Sequence, residues 1–303
     1  MIIVQLMGGL GNQLQQYALY RKFVRMGREA RLDLSWFTDK AVQEKSKNDK
    51  VTERKLELTL FDRLVFEVCT KEEKAELIGP EGIPGKLRRK FLPGTVHWFK
   101  ENQIYHPELL TFDNMYLSGY FACEKYYADI LYDLREKIQF PESSNPLNRQ
   151  LAQEMRECTS VSMHIRRGDY LNEENKAMFG NICTDAYYDK AVEMIKAEEK
   201  DVHFYLFSDD VPYVKQKYRG EEYTIVDINH GRDSFYDMWL MSNCKHNICA
   251  NSTFSFWGAR LNGNEGKIMI RPTIHKNTQT FDKKEMEELW QGWRFISPEG
   301  KIQ

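Results

Sequence analysis

An α/β chain in two halves, each built on a parallel sheet, is what this sequence predicts. Short apolar runs alternate with stretches of helical periodicity, a glycine turn separates the first strand from the first helix, and Pro141-Glu142-Ser143-Ser144-Asn145-Pro146 interrupts the pattern near mid-chain. With 303 residues the chain is long for one hydrophobic core, and two domains, 1–146 and 147–303, suit that length.

Composition narrows the class. Charged residues make up 29% and hydrophobic ones 42%, as in ordinary globular domains. Forty-three basic against 45 acidic side chains leave a net charge of -2, so no overall field favours nucleic acid, and any phosphate site must be local. The six cysteines form no CxxC pair, and Cys244 and Cys249 flank His246 at a spacing unlike a zinc site, so no metal centre and reduced thiols are expected. Met1 to Leu6 is too short an apolar run for a signal peptide, and no stretch approaches the roughly 18 apolar residues that span a bilayer.

The first half opens with a strand over Ile2 to Met7, the turn Gly8-Gly9-Leu10-Gly11, and a helix in which Leu14, Tyr17, Ala18 and Arg21 share a face. Asn12 is its expected N-cap and Gly27 its end, and Glu29 to Leu34 is the next strand, completing a βαβ unit. Gly9-Leu10-Gly11 begins a dinucleotide pattern and Asp33 ends the second strand, but Leu14 occupies the third glycine position; an NAD-dependent oxidoreductase is therefore the secondary reading. What the turn does offer is backbone NH groups with the amides of Asn12 and Gln13 beside them, suited to a pyrophosphate or a sugar.

Beyond it, 40–55 reads as a polar surface loop, Leu64 to Val68 as a strand, Lys71 to Ile78 as a helix, and Gly79 to Gly85 as irregular. Lys86, Arg88, Arg89 and Lys90 read as a solvated basic face. Thr95 to Phe99 and Met115 to Phe121 are aromatic-rich strands, and Glu124 to Gln139 has the spacing of one continuous helix.

The second half carries a helix over Asn148 to Arg156 and then the strand Val161-Ser162-Met163-His164-Ile165, which alternates apolar and polar side chains and puts His164 and Arg166 on one face before the turn Arg167-Gly168-Asp169. Thr184 caps a helix from Asp185 to about Glu199; strands follow at His203 to Phe207, Tyr223 to Ile228 and His246 to Ala250, with a helix at Ser234 to Met241, another after Asn251, and a last strand at Lys267 to Ile270. In a parallel sheet the strands' carboxyl ends share one rim. That rim collects His164 and Arg166, Asp209 and Asp210, and Asn251, Ser252 and Thr253. Arginine suits phosphate oxygens by charge and fork geometry, and hydroxyls with free NH groups at a helix start do the same. An aspartate of the 209–210 pair suits the NH edge of a purine or simply caps the next helix, and Ser252 and Thr253 either meet a phosphate or cap.

Taken in order, Gly8-Gly9-Leu10-Gly11-Asn12-Gln13, Gly119-Tyr120-Phe121 with Glu124-Lys125-Tyr126-Tyr127, His164-Ile165-Arg166-Arg167-Gly168-Asp169-Tyr170, Ser208-Asp209-Asp210 and Asn251-Ser252-Thr253-Phe254-Ser255-Phe256-Trp257-Gly258 resemble the blocks of the inverting α-1,2-fucosyltransferases, relatives of the α-1,6- and protein O-fucosyltransferases. The resemblance implies a GT-B-like fold of two facing Rossmann-like domains, the second holding GDP-fucose and the final helix returning to the first. It implies transfer of L-fucose to the 2-hydroxyl of a terminal galactose with inversion, no metal and no cofactor besides the donor. Arg166 is then expected to stabilise the leaving diphosphate with Ser252 and Thr253 helping, and Asn251 to bind the donor beside them; by the resemblance His164 and Asp209 or Asp210 take the guanine, and Gly9, Gly11, Asn12 and Gln13 approach from the first domain. The general base is Asp169 or Glu174, Asp169 having a structural alternative in its turn. A bacterial, cytoplasmic enzyme of surface-polysaccharide assembly, peripherally associated with that system, is the expected setting. Other linkages, and a catalytically dead glycan-binding protein, remain open.

Overall fold

The computed structural model describes residues 1–39 and 54–303, less the side chains of Asp169 and Glu174; the loop expected at 40–55 falls almost wholly outside the described residues. The chain divides into two compact units, Met1–Gln139 and Phe140–Gln303. The division precedes the proline-rich stretch rather than falling at 146, because that stretch is fastened to the second unit: Phe140 stacks on Phe235 at 6.3 Å and the Tyr236 hydroxyl donates to the Glu142 carbonyl.

The first unit holds a four-stranded parallel sheet in the order β2-β1-β4-β3, from β1 (Ile2–Gln5), β2 (Ala30–Asp33), β3 (Trp98–Lys100) and β4 (Met115–Ser118). Between β1 and β2 runs helix α1 (Leu10–Arg25), which buries Leu14, Tyr17, Ala18 and Phe23 and ends at Gly27, whose φ of +75° only glycine adopts cheaply. The one-turn α2 (Ser35–Thr38), α3 (Lys71–Ile78) and α4 (Ile83–Phe91) follow. Helix α3 begins with a capping box in which Thr70 and Glu73 satisfy each other's backbone NH groups.

Several local expectations give way here. Leu64 to Val68 contributes a single bridge, Val68 to Leu32, instead of a strand. Gly79 to Gly85 is not irregular throughout, since Ile83 already begins α4. Glu124 to Gln139 is no continuous helix: it splits into 3-10 turns at Glu124–Tyr126 and Ala128–Ile130 before α5 (Leu131–Lys137). Tertiary bonds break it, the Tyr126 hydroxyl accepting the His106 NH and the Tyr127 ring being fully buried, while Arg21 grips Asp133 through two bonds of 2.7 and 2.9 Å.

The second unit holds a six-stranded parallel sheet, β10-β9-β8-β5-β6-β7: β5 (Thr159–Ile165), β6 (Val202–Ser208), β7 (Tyr223–Val226), β8 (His246–Ile248), β9 (Met269–Pro272) and β10 (Trp293–Ile296). Helices α6 (Pro146–Glu157), α7 (Glu173–Phe179), α8 (Asp185–Glu198), α9 (Val211–Lys217), α10 (Phe235–Asn243), α11 (Thr253–Leu261) and α12 (Lys283–Leu289) connect or cover it. One apolar layer sets Val161, Met163, Ile165, Phe204 and Leu206 against Tyr187, Ala191 and Ile195 of α8; on the opposite face Tyr205 and Phe207 meet Ala152, Met155, Leu240 and Met241.

One correction concerns this unit: strand β9 is not the last, since β10 pairs parallel to it. Helix α12 and β10 both lie within the second unit. The polar side of β5 is covered as well, with Ser160, Ser162 and His164 all buried. Ser160 donates to the Met155 carbonyl and Ser162 accepts the Asn247 amide at 2.7 Å, so the alternation marks a hydrogen-bonded seam under helices.

Candidate active site

Strand order sets the site. From β5 the chain adds β6 and β7 on one side, then returns to place β8, β9 and β10 on the other, so it reverses between β5 and β8. Beyond the carboxyl ends of two such strands the connections diverge and leave a crevice. The crevice here measures about 220 Å³, and Arg166, Arg167, Tyr170, Phe179, Thr184 and Asn251 line it.

After β5 the chain turns sharply, and Asp209 at the end of β6 holds the turn. Its Oδ1 accepts the backbone NH groups of Arg167 and Gly168 at 2.9 and 3.0 Å, and its Oδ2 lies 3.2 Å from Arg166 Nε. Gly168 is required by this approach, since a Cβ there would stand 2.8 Å from Oδ2. The Arg166 guanidinium lies 5.6 Å from the centre of the Tyr170 ring, which stacks on Phe179 at 5.2 Å and whose hydroxyl donates to the Asn251 carbonyl. Asp210 caps α9, accepting the Tyr213 NH at 3.2 Å, and pairs at 3.1 Å with Arg167, itself 3.7 Å over the Tyr213 ring.

Across the crevice, Asn251 is buried and its amide donates to the carbonyls of Phe179 and His275 at 3.1 and 3.2 Å, tying the loop after β8 to its neighbours. Ser252 is the N-cap residue of α11 yet makes no side-chain capping bond, and Thr253 opens the first turn. The amide end of a nine-residue helix thus meets the rim with its usual hydroxyl cap unused. His164 is buried, its Nδ1 has no hydrogen-bond partner among the described residues, and its ring lies 6.1 Å from that of Phe254. Burial first, then the Arg166 charge, pushes its pKa far below the usual imidazole range, so the ring is neutral.

The second unit therefore gathers His164, Arg166, Asp209, Asp210, Asn251, Ser252 and Thr253 on one rim, as the sequence predicts. The two carboxylates are braces for the arginine turn. Asp169 begins a 3-10 turn, Asp169–Leu171, and Glu174 lies in α7; both side chains are outside the described residues. Tyr170 is the residue that sequence reasoning left without a role, although its place directly after the Arg-Gly-Asp turn was the available signal.

The first unit also reverses its strand order, between β1 and β4. Gly9, not Asn12, is the N-cap of α1; Asn12 lies within the helix, and Gly11 is buried in its first turn. Gln13 is wholly buried and spent on structure: its amide nitrogen donates to the carbonyls of Gly8 and Lys55, and its oxygen accepts the Glu57 NH. Gln15 and Gln16 donate to the carbonyls of Tyr120 and Gly119, pinning the loop after β4, which Glu101 holds from the other side through the NH groups of Tyr120 and Phe121. Gly9 lies beside the Arg54 guanidinium, a cation the sequence hides in a charged run.

The model of the family described as Glycosyl transferase family 11 matches residues 100–297. An alpha-1,2-colitosyltransferase of Escherichia coli is 30% identical over 90% of this chain and 91% of its own. The O-antigen biosynthesis glycosyltransferase WbnK of Escherichia coli is 29% identical over 88% of this chain and 92% of its own. Among solved structures, NodZ alpha-1,6-fucosyltransferase soaked with GDP-fucose aligns at 15% identity and a TM-score of 0.48, covering 86% of this chain and 91% of that one.

Proposed function

Because the chain belongs to glycosyl transferase family 11, we propose that it moves L-fucose from GDP-fucose to the 2-hydroxyl of a terminal galactose, with inversion and without a metal ion. The observation that carries this reading is the meeting, at one crevice, of the Arg166 guanidinium with Asn251, the residue directly before the N-cap Ser252 of α11. As the bond from fucose to phosphate breaks, negative charge grows on the diphosphate, and donors already aimed at it stabilise the transition state more than the ground state. Arg166 supplies a full charge, Ser252 and Thr253 supply hydroxyls and NH groups, and Asn251 holds their loop in place.

In this reading the neutral His164 meets the guanine by hydrogen bonding. Asp209 acts mainly by fixing Arg166 and its turn, because three donors already occupy its oxygens. Asp169 or Glu174 takes the proton from the attacking hydroxyl, which approaches opposite the departing phosphate. A glycan-assembly role in a bacterial cytoplasm accords with the O-antigen relative.

Incubating the protein with GDP-fucose and lactose tests the proposal. Transfer to the galactose 2-hydroxyl is expected, and Arg166→Ala should lower kcat by about 10²–10³-fold or more with the fold intact. Near-normal turnover of that variant overturns the assignment. A melting-temperature rise with GDP but not UDP or NAD separates it from the oxidoreductase alternative, and donor turnover separates it from a dead glycan-binding protein. A second reading, colitose in place of fucose, is favoured by the colitosyltransferase relative; a colitose donor preferred over GDP-fucose in the same assay would select it.

A further inference from the structure

Helix α4 is mounted with its polarity reversed. Its two arginines face the protein: Arg88 donates to the carbonyls of Ala75 and Glu76 in the last turn of α3 and to the carbonyl of Thr95, and Arg89 donates to the carbonyl of Ile78. Arg89 also lies 5.6 Å over the Trp98 ring. Gly85 presses on the chain before the helix, where a Cβ would stand 1.7 Å from the Pro80 carbonyl oxygen. These contacts fix the helix's rotation about its own axis.

The consequence lies on the other side. Ile83, Leu87 and Phe91, four residues apart and so on one face, point outward with 71%, 50% and 65% of their surface exposed, and Leu92 continues them at 59%. Lys86 and Lys90, both at the surface, run along one flank of the stripe. The basic cluster that reads in sequence as a solvated face is thus divided, two cations cementing the helix to α3 and two bordering an apolar strip. A surface helix ordinarily turns its apolar stripe inward. Here five hydrogen bonds and close backbone packing hold it out.

Charge decides the occupant. The chain as a whole carries -2, so paired lysines beside an apolar strip are a local feature and complement a negative surface. An apolar strip rimmed by lysine is the pattern of a helix lying in a membrane interface, whereas the centre of a protein interface is depleted in lysine. We propose that α4 docks this chain on an anionic lipid surface, with Ile83, Leu87, Phe91 and Leu92 entering the acyl boundary and Lys86 and Lys90 meeting headgroup phosphates. With one short helix, binding is reversible and falls with salt.

Co-sedimentation of the full chain with vesicles of phosphatidylcholine and phosphatidylglycerol in equal parts, and with phosphatidylcholine alone, tests this. Binding to the mixed vesicles only is expected. Lys86→Gln with Lys90→Gln should weaken it about tenfold or more, and Leu87→Ser with Phe91→Ser should abolish it, neither pair changing the melting temperature by more than a few degrees or GDP binding. No binding to mixed vesicles, or binding that ignores both pairs, overturns the proposal. So does a wild-type dimer in light scattering that the serine pair dissolves while vesicles have no effect, since the strip would then serve a second copy.

Discussion

Arg166 Nε stands 3.2 Å from Oδ2 of Asp209, and the other oxygen of that carboxylate holds the NH groups of the two residues after the arginine. One side chain on the loop after β6 thus sets both the turn and the direction of the guanidinium. In Asp209→Asn, an amide oxygen can still hold the turn, but the nitrogen facing Arg166 can no longer accept. We expect kcat to fall about 10–100-fold with KM for the donor changed little and the fold retained. Steady-state kinetics distinguish this from guanine recognition by the carboxylate, which would raise KM and leave kcat near normal.

Ser252 and Thr184 occupy equivalent positions on two helices and use them differently. Thr184 accepts the Tyr187 NH of α8 and donates to the Pro298 carbonyl, while Ser252 gives no capping bond to α11. Thr184→Ala should cost about 1 kcal/mol of stability and, although Thr184 lines the crevice, lower kcat/KM less than Ser252→Ala does, because its hydroxyl is already engaged by the Tyr187 NH and the Pro298 carbonyl. Ser252→Ala should do the reverse, lowering kcat/KM about tenfold with urea unfolding shifted by under about 0.5 kcal/mol. Equal destabilisation by both would return Ser252 to a capping role.

The proton acceptor is separable by pH-rate profiles of Asp169→Asn and Glu174→Gln. In the variant lacking the base, the acid limb of kcat/KM disappears and the rate drops by about 10²–10⁴-fold. The other variant keeps the wild-type profile. If both keep it, neither residue is the base.

Asp237 gives a pH-dependent stability signal. Burial pushes its carboxyl up to about 7, although the Asn229 amide donates to it at 2.9 Å within a network that includes Asn148. The unfolded chain releases this proton near the usual carboxylate value of about 3.9. Between there and about 7 the folded state binds a proton that the unfolded state lacks, so this group's contribution falls as pH rises through that window. His164 and His275, held below the imidazole range mainly by burial, act with the opposite sign at acid pH, so the difference between proteins is the useful quantity. Asp237→Asn should be increasingly more stable than the parent as pH rises from 5 to 8 in thermal melts. A constant difference would place the shift elsewhere.

Local chemistry is what the sequence by itself determined. The alternation of strand and helix, the glycine turn after β1, the cap at Thr184 and the rim formed by residues 164–166, 209–210 and 251–253 are properties of short segments, and the parallel sheet aligns their ends. Tertiary structure decided what those segments do with their freedom. Periodicity between 124 and 139 suits a helix, but bonds from His106 to Tyr126 and from Arg21 to Asp133 outweigh the modest preference of the local chain. That the aspartates of the 209–210 pair also brace the arginine turn was not legible, because their partners come from the turn after a strand more than 40 residues earlier. Only packing against α3 could turn the arginines of α4 inward and its apolar stripe outward, since the same nine residues in isolation have no inside.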